Sequence, residues 1–197
     1  MYRIKIFVFL LILITFFHLF NFIKKENKYE ILQINNKLEN KKLHFYFKEN
    51  LPIVILNHEY HDIFNMISPL TIIKKDISNQ NISYKYITHL KDFLFIISKN
   101  NIKINLSIPN ESKNFIKSSE YNNHLTILNT KNNNSKYIEI LLKKNDILYI
   151  PRNWIFYINT DTSNYNMFIS DSIFTFIFTF YNIIYYLNNK YFIKQKK

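Results

Sequence analysis

Cysteine and glycine are both absent from the 197 residues, alanine is missing too, and valine occurs only at Val8 and Val54. Without cysteine the chain has no disulfides, no thiolate metal site and no cysteine nucleophile. Without glycine it has no phosphate-cradling loop of the P-loop or dinucleotide type, and no hydrolase nucleophile elbow. Turns that need positive φ must then fall to Asn or Asp. Asn100-Asn101, Asn122-Asn123 and Asn133-Asn134 are the expected places. Arginine, the better phosphate fork, occurs only at Arg3 and Arg152. Ile, Asn, Lys, Phe and Tyr fill the composition. AT-rich coding produces that bias, so a run of Lys or Asn carries little meaning by itself.

What is present excludes a disordered chain. Hydrophobic residues make up 48% and aromatics 18%, enough to bury a core, and the length suits one domain with appendages. After a short tail, residues 1–5, an 18-residue apolar run extends from Ile6 to Ile23, with Arg3 and Lys5 before it and Lys24, Lys25 and Lys28 behind. As a helix it would span about 27 Å, the thickness of a hydrocarbon core. No small-residue cleavage site follows it, so the expectation is an uncleaved single-pass anchor. Basic residues flank both ends and leave the orientation open. Residues 24–48 read as a polar juxtamembrane linker.

Beyond it lie short apolar segments at strand length. Leu51–Leu56 is a continuous run, expected to be a buried strand. Residues 102–108 alternate apolar and polar, the mark of a half-buried strand. Asn100-Asn101 is expected to close it into a hairpin with 93–98. Further strands are expected at 125–128, 137–142, 147–150, 154–158 and 165–170. The sum points to a mainly β domain over 49–171. Residues 172–197 read as a C-terminal helix with a basic tail, either packed on the domain or crossing the membrane a second time.

The most specific stretch is 141–157, LLKKNDILYIPRNWIFY. It resembles the closing signature of cupin-like, JmjC-related proteins: an apolar pair, Gly-Asp, an apolar run ending in Ile-Pro, then Trp and His. Here Asn145 stands for the Gly, Asp146 for the Asp, Ile150 and Pro151 for the Ile-Pro, and Trp154 for the Trp. Phe156 takes the position of the His. Asn suits a turn at positive φ, and proline suits a strand end that needs no amide donor. With the segments around it, the chain is similar over about residues 50–190 to cupin-like membrane proteins of large DNA viruses. The resemblance implies a double-stranded β-helix, a jelly-roll barrel, placed at a virion or host intracellular membrane.

Active members of that group hold Fe(II) through His-x-Asp/Glu and a distant His. Phe156 cannot ligate. Residues 84–88 hold neither acid nor imidazole, and where His89 follows, Lys91 stands at the acid position. The resemblance thus implies no metal, no cofactor and no catalytic residue. A relocated metal site at His58, His61 and Asp62, which share a face if helical, is the enzyme alternative.

The net charge is +12, and removing residues 1–28 leaves +8. A basic domain held at a membrane suits anionic lipid headgroups. Nucleic acid is disfavoured, since no stacking motif accompanies the charge. The sequence therefore predicts a membrane-anchored, non-catalytic structural or binding component with a protein partner it does not identify.

Overall fold

A computed structural model describes residues 5–6, 9–10, 12–13, 28–35, 46–47, 49–56, 71–80, 82–120, 122, 124–131 and 135–172. The candidate metal residues His58, His61 and Asp62, most of the apolar run 6–23, and the whole of 173–197 lie outside them. Among the described residues no helix is long and apolar enough to cross a membrane.

The protein is mainly β, in two six-stranded sheets. Its strands are β1 (Leu32–Asn35), β2 (Ile53–Leu56), β3 (Thr71–Asp76), β4 (Tyr86–Thr88), β5 (Phe93–Ser98) and β6 (Ile102–Ser107), then β7 (Phe115–Lys117), β8 (Thr126–Thr130), β9 (Ile138–Leu142), β10 (Ile147–Ile150), β11 (Ile155–Ile158) and β12 (Tyr165–Ser172). Sheet A runs β1-β2-β10-β5-β12-β3 and sheet B runs β7-β8-β4-β11-β6-β9. The pairing is antiparallel except for β1 beside β2. Four of the pairs nest: β6 with β9, β5 with β10, β4 with β11 and β3 with β12.

The two sheets share one core. Leu94, Ile96, Leu148 and Ile169 of sheet A meet Ile87, Ile104, Leu106 and Phe156 of sheet B. Sheet A is also covered on its far side, where Phe47 packs edge-on against Phe95 and Tyr149 at 6.0 and 4.7 Å. That double cover explains why β2, β5 and β10 are continuous apolar runs. Sheet B meets the shared core on one face and carries a small separate cluster, Phe115, Leu128 and Ile155, on the other; β6 alternates as expected, with Ile102 and Ile104 buried and Lys103 exposed.

Two local expectations fail. The 93–98 and 102–107 strands do not form a hairpin: β5 pairs with β10 and β12, β6 with β11 and β9. Both strands carry apolar residues for the same core, so the link between them crosses from one sheet to the other. The amide of Lys99 donates to the carbonyl of Asn164 (2.8 Å) instead of closing a local turn. Among the described residues positive φ occurs at Asn50, Tyr84, Asn145 and Asn153, not at Asn100 or Asn101; Asn123, Asn133 and Asn134 lie outside them. In addition, Leu32–Asn35, inside the stretch read as linker, forms the outermost strand of sheet A.

Asn145 (φ 68°) does fill the glycine position of the signature. Its side chain is exposed, so the backbone alone sets the requirement. Asn145→Val should therefore lower stability by about 1–2 kcal/mol, while Asn145→Gly should change it little. Urea midpoints of the two variants check this.

Candidate functional site

The signature segment forms one end of the core. Ile150 pairs with Leu94 in sheet A, Pro151 is buried where the strand stops, and Asn153 (φ 65°) turns the chain into β11. Asp146 closes the preceding turn by accepting the Lys143 amide at 2.9 Å. The indole of Trp154 is wholly buried, and its Nε1–H donates to the carbonyl of Asn50 at 3.2 Å.

β4 delivers the next residues. Ile87 lies opposite Phe156 of β11, and with alternating sides His89 follows Ile87 toward the interior. His89 is fully buried, its ring 6.5 Å from that of Phe156. Nε2 lies 3.0 Å from the carbonyl of Ile150 and donates to it. The carbonyl of His89 accepts the Asn153 amide at 2.9 Å. Nδ1 makes no hydrogen bond among the described residues. Burial drives the imidazole pKa down to about 3; the hydrogen bond to Ile150 opposes this, and the charges of Arg152 and Lys91 add to it.

Lys91 also turns inward. Its ammonium meets Asp171 of β12 at 2.5 Å, with both side chains buried. Burial raises the Asp171 pKa against the pull of Lys91. Near the rim, Arg152 pairs with Asp92 at 3.2 Å.

His89, Lys91 and Phe156 are thus brought together, with Trp154 in the same core. The structure adds Asp171, which sequence reasoning missed. An acid in step with Tyr165, Met167 and Ile169, the inward positions of β12, is the signal that could have found it. His124 stands apart, accepting from Lys75 at 2.9 Å, and partial burial and that ammonium depress its pKa to about 4.

The chemistry of the cluster follows from its charges. A neutral imidazole and a phenyl ring beside an ammonium–carboxylate pair suit a metal ion poorly, because the fixed ammonium repels a cation. Among the described residues no three His, Asp or Glu side chains gather as ligands.

The imidazole shift makes a pH prediction. Between pH 6.5 and about 3 the unfolded chain binds a proton at His89 that the native chain refuses. Stability should therefore fall as pH drops through that window, by up to about 1.4 kcal/mol per unit. Asp171 acts in the opposite sense, because its raised pKa lets the native carboxyl take a proton before the unfolded one does. His89→Gln should flatten the urea midpoint between pH 6.5 and 4.5; equal slopes in both proteins would remove the assignment.

A groove of about 440 Å³ opens elsewhere, lined by Ile31, Val54 and Leu56 together with Glu139, Leu141 and Lys143.

No family model matches the chain, and no curated protein matches it.

Proposed function

We propose that this is a membrane-anchored, non-catalytic domain of the cupin-like, double-stranded β-helix kind, acting as a structural or binding component of a membrane, by resemblance that of a large DNA virus. The strand order supports the rolled architecture. β3, β4, β5 and β6 lead inward through the nest of pairs and β9, β10, β11 and β12 lead back out. Neighbours in the chain alternate between sheets except at the β6–β9 tip. A long hairpin rolled on itself produces that order. The flanking strands β1, β2, β7 and β8 widen the sheets.

One observation carries the non-catalytic reading. Where the resembled enzymes place an acid and a histidine around Fe(II), this chain has Lys91, bound to Asp171, and Phe156. The ammonium supplies a positive charge of its own inside the barrel. The groove beside β9 combines apolar side chains with Glu139 and Lys143, which suits a binding role.

Metal analysis of the full chain, purified without chelator and then loaded with Fe(II) or Zn(II), tests the reading. The expected content is far below one metal per chain. A stoichiometric metal lost on His61→Ala would overturn it in favour of a relocated centre at His58, His61 and Asp62. One lost on His89→Gln would place the centre in the barrel and also overturn it.

A further inference from the structure

We propose that the outer face of sheet B lies against an anionic lipid surface, with Tyr29, Tyr137 and Leu141 at the level of the headgroups. This rests on the reading of 6–23 as a membrane anchor.

The path of the chain supplies the first argument. Residues 28–31 run past sheet B before joining β1: the hydroxyl of Tyr29 donates to the carbonyl of Lys136 at 3.2 Å, just before β9. Burial first, and then Glu111 in the 3-10 turn Pro109–Asn114 that packs on β7 and β11, raise the pKa of the same phenol to about 12. Ile23 and Lys28 are five chain steps apart, with four residues between them. Even fully extended they reach about 18 Å. An anchor ending at Ile23 would therefore enter the membrane within that reach of this corner of sheet B.

The second argument is one-sidedness. The exposed large apolar side chains described in the domain are Tyr29, Tyr84, Ile116, Tyr137 and Leu141. All belong to sheet B, to the turn leading into it, or to the segment that runs past it. On the outer face of sheet A, by contrast, Phe47 covers Phe93, Phe95 and Tyr149. Sheet B also carries a run of rings, Tyr86 lying 4.9 Å from Tyr157 and 5.1 Å from Phe115. Tyrosine places an apolar ring and a polar hydroxyl together, the combination that settles at a membrane–water boundary.

Charge is the third. Residues 102–142 supply β6 through β9 and hold five lysines against three glutamates. Lys28 adds to them at the corner, and anionic headgroups complement that excess.

The absence of cysteine makes the test clean, because one introduced thiol is a unique label. Asn105→Cys sits on the outer face of β6, between Tyr157 and Glu139; Glu49→Cys, exposed beyond Phe47, serves the opposite side. The full chain is reconstituted in phosphatidylcholine vesicles with and without phosphatidylserine and labelled with a solvent-sensitive fluorophore. Iodide quenching at 105 should fall several-fold when phosphatidylserine is present and recover in high salt, while quenching at 49 stays unchanged. Full quenching at 105 on vesicles that keep the chain through alkaline carbonate would overturn the docked face and leave the anchor standing. Protection at 105 indifferent to phosphatidylserine would overturn the anionic partner. Loss of the chain to carbonate would remove the anchor, and the docking with it.

Discussion

Trp154→Ala should lower stability by about 3–5 kcal/mol, which for a domain of this size is a fall in melting temperature of about 10 °C or more. The indole is wholly enclosed and joins the two sheets at one end of the core. Its truncation leaves a cavity between β4, β10 and β11 that the nested strand pairs cannot close by shifting. The carbonyl of Asn50 also loses its donor. Trp154→Phe separates the two effects: it keeps most of the volume, so its cost should be about 1–3 kcal/mol, mostly the unmet carbonyl. A melt of Trp154→Ala that superimposes on the parent would show that the ring does not hold this end together.

The second large effect belongs to the ion pair. Asp171→Asn takes the carboxylate away from a buried ammonium, and removing one partner of such a pair costs about 3–5 kcal/mol. Lys91→Met should cost less, because Asp171 can answer by taking a proton. Its pKa is already raised by burial, so the penalty of Lys91→Met should shrink as the solution is acidified. The double variant Lys91→Met/Asp171→Leu should recover much of the loss, since well-packed apolar groups replace buried pairs at little cost. Urea unfolding of the three variants at pH 7 and pH 5 measures all of this. Equal, additive penalties independent of pH would show that the two groups act separately.

Much of the fold was legible, and the legible parts share a cause. β6 announced itself because Lys103 and Asn105 face away from the core while Ile102, Ile104 and Leu106 face it. β2, β5 and β10 read as unbroken apolar runs because Phe47 and its neighbours cover the far side of sheet A. Asn145 was readable because a turn at positive φ without glycine leaves few residue types. What stayed hidden is long-range. Nothing local in 93–107 says that β5 must reach β10 and β12 in place of its neighbour, since either pairing buries the same side chains. β1 was lost among Lys and Asn because four residues, Leu32-Gln33-Ile34-Asn35, alternate too briefly to stand out.

The candidate site divides the same way. Phe156 and Lys91 were readable as departures from a pattern, since each occupies a position whose residue type the resemblance specifies. Asp171 was not, because the resemblance assigns nothing there. Its partner is 80 positions earlier in the chain, and only the folded sheets bring the two together.

The nesting of strand pairs has a consequence for biosynthesis. Sheet A cannot gain β12 until residues 165–172 have been translated, and β3, made about a hundred residues earlier, pairs with no other strand among the described residues. At about 5–20 residues per second, β3 waits several seconds for its mate. During that interval the nascent domain exposes an unzipped strand edge, the state in which a chaperone matters most. Any stop codon before residue 165 therefore yields a product whose β3 lacks the strand it pairs with, however intact the inner pairs remain.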